Sequence, residues 1–233
     1  MCNVHMRKII STILSVFLFF GIHAQMNYLE KGNKLIYFGI AIGVNYGDFK
    51  VVRQPKLNAL QTDSVKLISS NFGPGFDLGI IGNVQFHKYW DLRLVPTLSF
   101  SDKSIDFTNQ DNRVNTKTVS SIYLSMPLYL RYKSKPIKDF RFFVLGGLRY
   151  NYDLNSNSNE RNTETQLLVN KHDVGAEMGL GFQIFFPSFV LSPEIKVYHS
   201  LSNIKKPNEA LIYSRAIDKM FSRIFTLTFN LEG

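Results

Sequence analysis

The sequence predicts an all-β fold, an eight-stranded antiparallel up-and-down transmembrane β-barrel with long external loops and short periplasmic turns. Three observations carry that expectation. Apolar residues alternate with small or polar ones in run after run, and the links between runs alternate long and short. Beyond the N-terminus no segment reaches the roughly 18 uninterrupted apolar residues of a spanning helix.

The N-terminus comes first. Arg7 and Lys8 precede an apolar run from Ile9 to Gly21, and the small residue Ala24 precedes Gln25. That layout predicts a secretory signal peptide over 1–24, cleaved after Ala24, and a barrel domain over 25–233. An N-terminal membrane anchor is the competing reading, and Met6 serves as a start as well as Met1. Cleavage takes away two basic residues, leaving 25 basic against 18 acidic, a mature charge of +7 instead of +9. It also removes Cys2, the single cysteine, so disulfides, thiolate metal sites and cysteine catalysis are excluded from the mature chain.

Eight alternating runs follow. Ile36 to Tyr46 sets Phe38, Ile40, Ile42 and Val44 against Tyr37, Gly39, Ala41, Gly43 and Asn45. The second opposes Phe76, Leu78, Ile80 and Val84 to Asp77, Gly79, Asn83 and Gln85. The third opposes Leu92, Leu94 and Leu98 to Arg93, Thr97 and Ser99. Ile122 to Lys133 and Phe140 to Asp153 repeat the pattern, as do Asp173 to Phe186, Phe189 to Leu201 and Phe221 to Leu231. Polar links over roughly 47–74, 102–120, 154–171 and 202–219 are long. Those near 87–91, 134–139 and 187–188 are short, the rhythm of a barrel with external loops and periplasmic turns. A soluble barrel would turn its large apolar side chains inward. Here the apolar face is continuous and the other is rich in glycine and charge, so lipid is expected outside. Pro96, Pro127 and Pro193 fall within strands and predict bulges or register adjustments.

An eight-stranded barrel is about filled by its own side chains. The inward faces carry Asp77, Arg93, Arg131, Lys133, Arg141, Arg149, Glu177, Glu194 and Lys196. These predict a lumenal charge network that plugs the barrel, with a narrow polar path or small-ligand pocket as the sharper alternative. Inward glycines at 39, 43, 79, 147, 175, 179 and 181 are expected to make room for Tyr37, Tyr123, Tyr129, Phe143 and Tyr198. Tyr89 and Trp90 are expected in a membrane-interface girdle at the first short turn, and Tyr46, Tyr150 and Tyr152 in the external one. Arg223 falls on the apolar face near an external strand end, where it is expected to snorkel into headgroups or meet a lipopolysaccharide phosphate.

Catalysis is not expected. Three histidines remain in the mature chain, and none has an evident serine nucleophile within reach; His172–Asp173 is the best pair. Metal-ligand spacing and nucleotide motifs are absent, so neither a metal nor a cofactor is expected. The basic residues are scattered and form no nucleic-acid face.

Several segments together resemble the PorT family of Bacteroidetes outer-membrane barrels. They are Phe38-Gly-Ile-Ala-Ile-Gly43, Tyr123-Leu-Ser-Met-Pro-Leu-Tyr-Leu-Arg-Tyr132, Phe142-Phe-Val-Leu-Gly-Gly-Leu-Arg-Tyr150 and Gly175-Ala-Glu-Met-Gly-Leu-Gly-Phe182. The resemblance implies an accessory or assembly component of the type IX protein secretion system, supporting export of cargo and, in gliding species, motility. Its implied partners are outer-membrane lipid, lipopolysaccharide and other secretion components, with no nucleic acid and no small-molecule substrate. The first long loop, 47–74, is the expected contact surface. A generic structural or ligand-binding outer-membrane barrel that stabilises the envelope through its loops is the alternative.

Overall fold

The computed structural model describes residues 34–53, 67–108, 114–155, 170–205 and 217–233. The expected signal peptide and part of each long link lie outside them. Ten strands form: β1 (Ile36–Arg53), β2 (Leu67–Asn71), β3 (Gly73–His87), β4 (Trp90–Leu94), β5 (Thr97–Thr108), β6 (Val114–Lys133), β7 (Phe140–Asp153), β8 (His172–Phe185), β9 (Val190–Ser200) and β10 (Ile217–Glu232).

All pairings are antiparallel, and the ring closes because β1 pairs with both β3 and β10. β4 and β5 are two halves of one wall strand, and β2 pairs only with the far end of β5, so the wall contains eight strands. Closure leaves the wall without an edge, which lets a sheet sit in hydrocarbon with its backbone satisfied. Among the described residues no helix is long and apolar enough to cross a membrane.

The period-two pattern sorts side chains by face. Phe38, Ile80, Met178 and Leu180 on the outer face are 61–67% exposed, while Ile81, Asn83, Arg93 and Ser125 on the inner face are completely buried. The outer apolar residues run round the whole ring. A soluble protein rarely exposes more than a few hundred Å² of continuous apolar surface, so this belt fits lipid.

Several expectations are corrected. Much of the first two long links is strand, since β1 runs on to Arg53, β5 to Thr108 and β6 starts at Val114. The alternation weakens there because the wall has risen past the apolar belt, yet cross-strand pairing continues from Ser101↔Ser121 to Thr108↔Val114. The first short link is tighter than 87–91, since β3 reaches His87 and β4 begins at Trp90. Asp91 is therefore a strand residue, and it is buried.

The prolines leave holes rather than bulges. β4 and β5 keep one register against β3 and against β6, although Val95 and Pro96 between them keep only single backbone bonds, Val95 N–H to Pro127 and Ile80 N–H to Pro96. Likewise β8 and β9 resume the same register on either side of Pro193. A missing donor interrupts the ladder locally, but the inward and outward requirement on every neighbour holds the register.

Candidate functional site

The barrel interior is the site where the chain concentrates its chemistry. At the end with the short turns, Asp91 on β4 accepts two hydrogen bonds from Arg131, from Nε at 2.8 Å and Nη2 at 2.6 Å. It also takes the Tyr37 hydroxyl at 2.9 Å, and the Lys133 ammonium lies 3.0 Å away. Lys133 donates in addition to Gln85 at 2.9 Å.

One layer further in, Arg93 reaches three strands. Its Nε donates to Asn83 at 2.8 Å, its Nη1 to Glu194, and its Nη2 to Glu232 at 2.5 Å. Arg131 approaches the same Glu232 oxygen at 3.6 Å. The guanidinium groups of Arg93 and Arg131 both lie over the Phe143 ring, 5.9 and 4.9 Å from its centroid. Phe143 belongs to a buried apolar cluster with Ala41, Ile81, Val95, Tyr129 and Leu145, which fills the interior beside the ion pairs.

Towards the long-loop end, Glu177 accepts from Tyr129 at 2.7 Å and Arg149 at 3.4 Å, and Arg149 also donates to Ser125 and Asn151. Lys196 lies 3.6 Å from Glu194. Asp77 accepts from Asn45 at 2.7 Å. Asp173 gathers the hydroxyls of Tyr198, Ser200 and Ser202 at 2.8, 2.5 and 2.8 Å. Lys103 donates to Ser222 at 2.7 Å, its ammonium 5.0 Å from the rings of both Phe49 and Tyr123.

The nine inward charges read from the sequence are therefore all buried, but they do not form one network. Arg93, Glu194 and Lys196 are joined, as are Arg149 and Glu177, whereas Asp77 and Arg141 have no ion pair among the described residues. The reading missed Asp91, Glu232 and Lys103, and it put Asp153 and Asp173 on the inward strand faces without counting them among the lumenal charges. For Glu232 the signal was available, because it continues the inward series Ser222, Thr226, Thr228 and Asn230 by one more step.

Among the described interior residues the charges balance. Arg93, Lys103, Arg131, Lys133, Arg141, Arg149 and Lys196 give seven cations. Asp77, Asp91, Asp153, Asp173, Glu177, Glu194 and Glu232 give seven anions. A closed interior penalises any excess charge by several kcal/mol, so near-neutrality is what a sealed lumen requires.

Only some of the inward glycines serve aromatic rings. A Cβ at Gly175 would lie 2.5 Å from the Tyr198 ring and one at Gly181 2.7 Å from that of Phe143, with the His199 and Pro193 carbonyl oxygens nearer still at 2.3 and 2.5 Å. At Gly39 and Gly147 the backbone of the neighbouring strand is the whole obstacle, with carbonyl oxygens at 2.4 and 1.9 Å.

Outer-face features cluster at the two ends. Trp90 packs on Tyr132 at 4.9 Å between centroids, and Tyr89 stands 6.4 Å from Tyr132. At the opposite end Tyr46 is exposed, and Tyr150 and Tyr152 flank His172, whose Nδ1 is 2.7 Å from the Tyr150 hydroxyl. His172 thus points outward while Asp173 points inward, which dissolves the candidate acid–base pair because neighbours on a strand face opposite sides. Arg223 does lie on the outer face, but its partner is the protein: its guanidinium takes both carboxylate oxygens of Asp48, directly across the β1–β10 ladder. Among the described residues no group of three His, Cys, Asp or Glu is placed to hold a metal.

The family described as "Outer membrane protein beta-barrel domain" matches residues 20–206. The chain belongs to that family. Its residence is accordingly the outer membrane, and the apolar belt is its lipid-facing surface. No curated relative matches the chain. Among solved structures it is similar to the outer-membrane protein OprG of Pseudomonas aeruginosa, at 15% identity over 85% of this chain and 94% of that one, with a TM-score of 0.47. It is also similar to Ail, the attachment invasion locus protein of Yersinia pestis, in complex with the heparin analogue sucrose octasulfate. There the identity is 12% over 86% of this chain and 100% of that one, with a TM-score of 0.37. The N-terminal β-barrel domain of P. aeruginosa OprF aligns at 11% identity over 82% and 96% of the two chains, with a TM-score of 0.31.

Proposed function

We propose that this protein is a non-conducting outer-membrane barrel that acts through its external rim, as an accessory or assembly component of type IX protein secretion. The observation that carries the first half is the burial of inward side chains. In an open channel they would be wet, yet Ile81, Arg93, Arg131 and Ser125 have no exposed surface at all. Two cavities between the described residues are of about 20 and 10 Å³, room for a water or so each. A lumen so filled offers no route to a folded cargo, so the barrel supports transport without being its conduit.

The secretion role rests on the resemblance of the Phe38–Gly43, Tyr123–Tyr132, Phe142–Tyr150 and Gly175–Phe182 segments to PorT. Signal-peptide export, lipopolysaccharide contact and other secretion components as partners belong to the same reading. Short turns then face the periplasm and long loops the exterior, as in barrels of this kind generally. A generic envelope-stabilising barrel shares the sealed interior and differs only in what the rim binds.

Two measurements test the proposal. Purified protein in a planar lipid bilayer is expected to give no stepwise conductance, and stable open steps would overturn the sealed reading. Deletion of the gene is expected to trap cargo in the periplasm. An unchanged secretome with a fragile envelope would overturn the secretion role and favour the generic barrel.

A further inference from the structure

Balance over the whole interior hides an imbalance between its ends. The short-turn cluster holds Arg93, Arg131, Lys133 and Arg141 against Asp91, Glu194 and Glu232. The remaining cations, Lys103, Arg149 and Lys196, stand with Asp77, Asp153, Asp173 and Glu177, and Lys196 lines the same cavity as Asp77 and Arg149. Glu194 also faces Lys196 at 3.6 Å, so the short-turn end carries more cations than anions, and Arg141 is the cation there without an ion pair among the described residues.

Arg141 on β7 is 9% exposed and forms no ion pair or hydrogen bond among the described residues. Its guanidinium lies 5.3 Å from the Phe185 ring centroid, and its Nε is fully enclosed without an acceptor. The other charges nearby are already engaged. Lys133 is held by Asp91 and Gln85, and Glu232 by Arg93 and Arg131. A cation partly removed from water with no counter-charge in ion-pair reach is unfavourable, and an anion joining it relieves that cost.

There is a place for one. Lys133, Arg141, Gln183, Phe185, Val190, Glu232 and Gly233 line a cavity of about 20 Å³ at this mouth, with Gly233 exposed at its rim and the Glu232 carboxylate turned to Arg93 and Arg131. That space is open at the mouth and admits a group of about a water's size, such as a chloride or the leading oxygens of a carboxylate whose remainder stays outside. A guanidinium fork matches the two oxygens of a carboxylate, and the Lys133 ammonium adds charge from the side.

We propose that the short-turn mouth is a binding site for a small monovalent carboxylate, with Arg141 as its principal ligand and Lys133 in support. The site takes the carboxylate either as a free small acid or as the end of a peptide side chain or terminus reaching in from the same side. It does not depend on which machinery the barrel serves.

The test uses the full chain in detergent micelles, with chloride as reporter and acetate as competitor at constant ionic strength. The ³⁵Cl line is expected to broaden on addition of protein, and acetate is expected to restore it. A short peptide with one glutamate, compared with its glutamine counterpart, separates the peptide source from the free acid. Arg141→Gln is expected to abolish the broadening, while Lys88→Gln, at the exposed turn nearby, leaves it intact. Should Arg141→Gln fail to give the heat-modifiable band of a folded barrel, Val190→Asp tests the same point by placing a tethered carboxylate in the cavity. That variant is expected to fold and to lose the broadening. Equal broadening in wild type and variants, no broadening at all, or broadening that acetate leaves unchanged would each overturn the site.

Discussion

Arg93 and Glu232 meet across the lumen at 2.5 Å although 139 positions separate them in the chain, both without exposed surface beyond a trace. The bond ties β4 to the final strand, and Glu232 also faces Arg131 at 3.6 Å. One carboxylate therefore answers two buried guanidinium groups. Removing it would leave both in a dry interior with one acceptor fewer. Glu232→Gln is expected to lower barrel stability by about 3–5 kcal/mol. The midpoint temperature of the folded-to-unfolded band shift on a detergent gel reads this directly, and a midpoint within a degree or two of wild type would contradict it.

The apolar layer beside those arginines should matter as much. Phe143 is 3% exposed, fills the space between the two guanidinium groups and the Ile81–Leu145 cluster, and abuts Gly181. Phe143→Ala removes a ring that neighbouring strands, fixed in a closed ladder, cannot collapse to replace. A loss of about 3–5 kcal/mol is expected. Urea unfolding of the protein in lipid vesicles, followed by tryptophan fluorescence of Trp90, measures it.

How much of this was legible in the sequence follows from what alternation can encode. A period of two assigns each residue a face, so the inward placement of Arg93, Arg131, Arg149, Glu177 and Glu194 could be read from one chain. Partners could not, because the bond from Arg93 to Glu232 depends on which strand closes the ring and on the stagger between strands. Asp91 escaped because it sits one step from a turn whose length was overestimated, and Lys103 because its strand outruns the apolar belt that marked the others. Arg223 was correctly placed outside, but its neighbour Asp48 lay in a stretch read as loop. Pairing information of that kind resides in register, which no single strand carries.

Two adjacent glycines on β7 should behave in opposite ways. A Cβ at Gly147 would fall 1.9 Å from the Leu128 carbonyl oxygen, an obstacle of backbone, whereas at Gly146 it would meet nothing within 4 Å. Gly147→Ala is expected to force the β6–β7 strands apart and prevent recovery of the folded band. Gly146→Ala is expected to be tolerated, with a gain of about 0.4–1 kcal/mol from the stiffer unfolded chain. Parallel refolding yields of the two variants decide it, and similar yields would show that the wall gives way more readily than the spacing implies.

The hole in the ladder at Pro127 makes the sharpest prediction. Val95 N–H donates to the Pro127 carbonyl at 3.3 Å, but proline has no N–H to return the bond, so the Val95 carbonyl loses its cross-strand donor. Thr97 supplies the missing one: its hydroxyl donates to the Val95 oxygen at 2.7 Å. Within hydrocarbon an unsatisfied carbonyl has no water to turn to, so Thr97→Val is expected to cost about 1–3 kcal/mol. In a Pro127→Ala background the restored N–H can reach Val95, and the same Thr97 substitution should then cost much less. A double-mutant cycle on barrel unfolding isolates the coupling. Additive losses would mean that the hydroxyl and the absent amide are not serving the same carbonyl.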